Sequence, residues 1–150
     1  MKAMAPTRPT ELQVCRIQLT ASPVAAGEAR GRVRAAIRAW DIPVEEDIAV
    51  LLTSELVTNA ISHEAGTTIM LSVTSSFGQL RVDVHDTSRT WPVLVDASAD
   101  AEAGRGLMLV ATLSATWGIY RTPAGKAVYF TLAFGPGPPV DDGRAQTWGL

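Results

Sequence analysis

The sequence predicts an α/β protein of the α+β type, a two-layer sandwich whose mixed, mostly antiparallel sheet carries its helices on one face. Three observations lead there. Along 150 residues the elements run β, α, α, β, β, loop, α, β, β. Strands that follow one another are joined by turns too short for a parallel crossover. Hydrophobic residues make up 47% of the chain, enough for one buried core at this length.

Each element has its own signal. Leu12, Val14, Ile17 and Leu19 mark a first strand with a slip in phase. Ser22-Pro23 reads as an N-cap followed by the residue best suited to a first helical turn. The first helix runs to about Trp40, with Ala26, Ala29, Val33, Ile37 and Trp40 on one side. Arg30, Arg34 and Arg38 form a row on another side, read as a solvated ridge. Asp41-Ile42-Pro43 breaks that helix, and a second continues to about His63, with Gly66 marking its end.

Next, Ile69, Leu71 and Val73 alternate with Met70, Ser72 and Thr74, and Ser76-Phe77-Gly78 turns the chain into LRVDVHD. A long loop from Thr87 to Gly104 leads to a helix starting near Arg105 with Leu107, Met108, Val110 and Ala111. WGIYR and AVYFTLAF close the domain as a hairpin turning around Pro123 to Lys126. Residues 1–10 read as a flexible arm, 11–134 as the domain, and 135–150 as a Gly/Pro-rich tail whose Trp148 has two docking options, its own domain, the more ordinary, or a partner.

Composition narrows the function. A net charge of −2 gives no electrostatic case for direct nucleic-acid binding. One cysteine, Cys15, excludes an intramolecular disulfide and a multi-cysteine metal cluster. With no membrane-length apolar run and no signal-peptide core at the start, the expectation is a cytoplasmic domain.

Polar residues appear where the pattern wants apolar ones. On the second helix Ile48, Leu51, Leu52 and Leu56 form one apolar stripe, and Val50, Val57 and Ile61 another. Glu55 and Asn59, one turn apart, fall within the first stripe. An unpaired carboxylate there would cost several kcal/mol, so it needs a partner, water or a cation. Two readings stand: side chains bonded to nearby backbone, or a site for a hard cation such as Mg²⁺, which prefers oxygen ligands. Asp86 is in phase with Leu80, Val82 and Val84 and so points inward at a strand end, while Asp83 and His85 face outward. It either caps a turn or accepts a hydrogen bond from a ligand's amino group. Gly104-Arg105-Gly106-Leu107 opens a helix, where backbone N–H groups can meet phosphate oxygens. No P-loop motif exists, and His63 and His85 have neither a nucleophile elbow nor metal-ligand spacing.

Together these segments resemble the ATP-binding signature of the GHKL superfamily, and most of all its stand-alone anti-sigma factor serine-protein kinase branch. SELVTNAISH (54–63) is similar to the N-box, VHDTSRTWP (84–92) to the first glycine box, GRGLMLV (104–110) to the second, and GKAVYFTL (125–132) to the closing strand. The resemblance implies a Bergerat-type ATP-binding fold with ATP and Mg²⁺ as cofactors. It implies Asn59 as the Mg²⁺ ligand, Glu55 as the general base and Asp86 as acceptor for the adenine amino group. Gly104, Arg105, Gly106 and Leu107 would meet the phosphates. Ser88 and Thr90 stand where the first glycine box often has glycines, and Ser88 remains on the nucleotide-binding path.

The implied function is a serine/threonine protein kinase, and the implied substrate is a STAS-type anti-sigma antagonist. The alternative is a non-catalytic ATP-binding module that sequesters a sigma factor or an antagonist. The family also implies homodimers, with no direct nucleic-acid or membrane partner.

Overall fold

The computed structural model describes residues 12–63, 68–88 and 101–135. The expected arm, Gly66, most of the 87–104 loop with Thr90, and the tail beyond Gly135 with Trp148 lie outside the described residues. The elements are β1 (Gln13–Thr20), α1 (Ala25–Ala39), α2 (Glu46–His63), β2 (Thr68–Ser76), β3 (Gln79–Asp86), α3 (Ala101–Leu113), β4 (Thr116–Arg121) and β5 (Lys126–Ala133). The strands form one sheet in the order β1-β2-β3-β5-β4, and every ladder is antiparallel, so the expected architecture is realised at its antiparallel limit.

Strand periodicity decides which residues reach the core. Ile17 and Leu19, Ile69, Leu71 and Val73, Leu80, Val82 and Val84, and Val128 and Phe130 meet Val33, Ile37, Leu52, Leu56, Val57, Leu107 and Val110 of the helices. The phase slip in β1 has a simple origin: Cys15 takes the inward position, while Leu12 and Val14 are exposed. The β2–β3 turn places Phe77 and Gly78 at φ 51 and 73, the left-handed pair of a two-residue hairpin. At its far end the Phe134 N–H donates to the Gly78 carbonyl at 2.7 Å, tying β5 to that turn.

One local expectation needs correction, and another gains partners. Ser22 makes no side-chain cap on α1; instead its carbonyl accepts the Ala25 N–H at 2.9 Å, and a turn leads into the helix at Val24. The arginine row stays solvated, with the Arg34 and Arg38 side chains 40% and 68% exposed, and it also reaches across to α2. Arg30 donates to Ser54 Oγ at 2.9 Å, and Arg34 and Arg38 both reach Glu46 Oε2, at 3.4 and 3.1 Å.

The helix-free face of the sheet is shielded by its own side chains. Arg81 donates twice to Asp83, at 2.9 and 3.0 Å, and lies 3.9 Å above the Tyr129 ring. The Tyr120 hydroxyl donates to Asp83 Oδ2 at 2.7 Å. Burial, helped by the Asp83 charge, pushes the Tyr120 phenol up to about 12. Among the described residues no helix is long and apolar enough to cross a membrane.

Candidate functional site

α2 presents the first pair of site residues. Its buried positions, Ala49, Leu52, Leu56 and Ala60, recur at the spacing of one helical face, so the helix lies flat against β3 and β5. Val50 and Val57 are buried as well, whereas Leu51 is exposed, so the predicted stripe is narrower than drawn. Glu55 is half-buried, and burial pushes its carboxyl above the ordinary carboxylate range. Asn59 is 6% exposed, and its Oδ1 has no hydrogen-bond donor among the described residues.

Nearby hydroxyls are satisfied locally: Thr53 Oγ1 donates to the Ala49 carbonyl at 2.8 Å and Ser62 Oγ to the Asn59 carbonyl at 2.9 Å. The Asn59 oxygen is the exception on this helix. A buried amide oxygen without a donor suits a hard cation, so the residues present fit Mg²⁺ here.

α3 brings Gly106 of the GRGLMLV segment to the same place. Leu107 and Val110 are buried and hold the helix against α2. A β-carbon on Gly106 would lie 2.6 Å from Glu55 Oε1, so the glycine allows this approach. The helix begins at Ala101 rather than near Arg105, because Ala-Glu-Ala is a good helix-forming run. Gly104 and Gly106 therefore lie within its first two turns, not ahead of it. Leu107 is buried in the core.

At the end of β3, Asp86 points inward as the periodicity requires, and it has company that the sequence reading missed. Lys126 stands directly opposite in the β3–β5 ladder, and its Nζ lies 2.9 and 2.8 Å from the two carboxylate oxygens. Both side chains are 1% exposed. The Ser88 N–H donates to Asp86 Oδ1 at 2.8 Å, so Ser88 shapes this corner through its backbone. Lys126 is the first residue of β5 and not part of the preceding turn. The signal was available: Lys126 is in phase with Val128 and Phe130, a cation in an apolar row.

The remaining candidates go elsewhere. His85 faces the helix-free side, where burial pushes its imidazole down and Tyr120 meets it edge-on at 6.1 Å. A cleft of about 560 Å³ on that side is lined by Arg16, Met70, His85 and the turn from Thr122 to Ala124. Among the expected nucleotide residues described, only Asp86 borders it. No cluster of three or more His, Cys, Asp or Glu suited to a metal occurs among the described residues.

A protein-family model described as the histidine kinase-like ATPase domain matches residues 19–132. In fold, the chain is similar to the crystal structure of the RsbU and RsbW domains of Rv1364c from Mycobacterium tuberculosis. The TM-score is 0.58 at 20% sequence identity, with 86% of this chain and 35% of that one covered. The chain thus spans about a third of that structure's length. No curated protein matches the sequence.

Proposed function

The chain belongs to the histidine kinase-like ATPase domain family, and on that footing we propose that it is an Mg-ATP-dependent anti-sigma factor serine/threonine kinase acting on a STAS-type antagonist in the cytoplasm. The observation that carries the reading is the Asn59 Oδ1 atom, buried and without a donor among the described residues, one helical turn from Glu55. In this reading Asn59 holds Mg²⁺, Asp86 accepts the adenine amino group, and the segment Gly104 to Leu107 flanks the phosphate side, with the free N–H groups of the first helical turn nearest to it. Glu55 takes the proton of the substrate serine. Its raised pKa supports that role, since a base works best when its pKa approaches the working pH. Bound Mg²⁺ would supply neutralisation of phosphate charge. The chain's own part is placement: α2 fixes Glu55 and Asn59 in one alignment, and Gly106 lets α3 close on them.

The test is incubation with labelled ATP, Mg²⁺ and purified STAS-domain proteins, with the modified residue mapped by mass spectrometry. Label on a serine or threonine of the STAS protein is expected. A protein that binds Mg-ATP and holds a sigma factor or antagonist, yet transfers nothing, overturns the kinase reading in favour of a sequestering module.

A further inference from the structure

We propose that Lys126 is a positioning residue that sets the base selectivity of the nucleotide site, by clamping Asp86 as a fixed hydrogen-bond acceptor. The proposal rests on the reading of Asp86 as the group that meets the purine.

The geometry leaves the carboxylate little freedom. Oδ1 accepts from Lys126 Nζ at 2.9 Å and from the Ser88 N–H at 2.8 Å, and Oδ2 accepts from Lys126 Nζ at 2.8 Å. With roughly four lone-pair positions on a carboxylate, these bonds fill both positions on Oδ1 and one on Oδ2. The open position is on Oδ2, and with an ammonium donating to both oxygens the group offers a ligand an acceptor only. An amino group at position 6 of a purine satisfies it, and a carbonyl there does not. Leaving buried acceptors facing a carbonyl is the strong form of discrimination, because neither partner can then be satisfied.

The backbone enforces the arrangement. A β-carbon on Gly125 would collide with the Asp86 carbonyl oxygen and the Thr87 backbone, so the β4–β5 turn seats directly on the end of β3. That close seat starts β5 at Lys126 and directs its side chain along the helix-covered face to Asp86. Two charges buried to 1% exposure are weak evidence for stability and better evidence for a fixed local geometry.

The test compares Mg-ATP and Mg-GTP binding by titration calorimetry for the full chain and for Lys126→Met, Lys126→Gln and Asp86→Asn. Loss of the clamp frees the carboxylate to turn, so both Lys126 variants should lose about tenfold or more of the ATP-over-GTP preference. A merely structural lysine would weaken both nucleotides alike; a preference within twofold of wild type in a folded Lys126 variant overturns the proposal. An Asp86→Asn protein that keeps the preference overturns the reading beneath it, a separate outcome.

Wild-type protein supplies a second readout should both Lys126 variants fail to fold. The chain has two lysines, Lys2 and Lys126, so ¹⁵N-lysine labelling gives two side-chain ammonium signals. Saturating Mg-ATP is expected to shift the Lys126 signal, and inorganic tripolyphosphate with Mg²⁺ is not. A Lys126 signal that saturating Mg-ATP leaves unmoved overturns the clamp.

Discussion

Gly106 of α3 lies so close to Glu55 of α2 that a methyl group on the glycine would sit 2.6 Å from the carboxylate oxygen. The end of a flexible side chain can yield, so Gly106→Ala should fold and push Glu55 out of line. Alanine also gains about 1 kcal/mol over glycine within a helix, which offsets the crowding. Phosphoryl transfer from labelled ATP should fall by about 10²-fold, the lower end of what a displaced base costs, with the urea midpoint nearly unchanged. Full transfer rates in Gly106→Ala would separate Glu55 from the chemistry.

Glu55→Gln should cost about 10²–10⁴-fold in transfer while keeping Mg-ATP binding. It should also change the pH dependence of stability. With its pKa raised on folding, Glu55 binds more protons in the native state just above its ordinary value. Stability from this group is full at lower pH and lost as pH rises through the folded pKa. Urea midpoints at several values between pH 4 and 7 should therefore decline more in wild type than in Glu55→Gln; parallel profiles would contradict the burial effect.

Asn59→Ala removes an oxygen that bonds to nothing in the described structure, so the unliganded protein should lose little stability. Binding should suffer instead. At a hundredfold excess over its dissociation constant, Mg-ATP stabilises a native protein by about 2.7 kcal/mol, and most of that shift should vanish in Asn59→Ala thermal melts. An undiminished shift would remove Asn59 from the metal role.

Two glycines should respond in opposite directions to alanine. Gly31 on α1 has open space around its α-carbon, so Gly31→Ala should stabilise by about 0.5–1 kcal/mol. At Gly125 the obstacle is backbone, which no rotamer change relieves, and Gly125→Ala should destabilise by about 2 kcal/mol or more. Equal midpoints for the two variants in urea would contradict the packing at the β4–β5 turn.

The chain has two tyrosines, and burial raises both phenols, Tyr120 to about 12. Native protein should show no tyrosinate absorbance near the ordinary pKa, and unfolding in urea should restore it. Because both phenols hold their protons longer in the native state, stability should begin to fall near pH 10 and keep falling through about 12. Native absorbance rising with the ordinary pKa would mean that the Asp83 network is open.

The placement of several candidate site residues was readable because side-chain period is a strong signal. A period of two placed Asp86 inward, and helical spacing put Glu55 and Asn59 on one alignment. What the sequence hid depends on what lies opposite each face. The arginine row was legible as a row, but only tertiary packing shows Glu46 and Ser54 across from it. Lys126 went unseen because a glycine before it suggested a turn, and the turn ends one residue earlier. α3 starts ahead of its glycines because the Ala-Glu-Ala run before them propagates the helix.

The sheet order carries a kinetic consequence. With β3 in the middle, paired to β2 on one side and β5 on the other, its amides should be among the slowest to exchange with deuterium, opening only when the whole domain unfolds. Asp86 and Lys126 end the ladder between these two inner strands, whereas Gly106 rides on a helix anchored by Leu107 and Val110. The Asp86–Lys126 corner thus belongs to the most persistent unit of the fold. On the proposed reading of Asp86, purine selectivity then rests on the part of the fold that opens last.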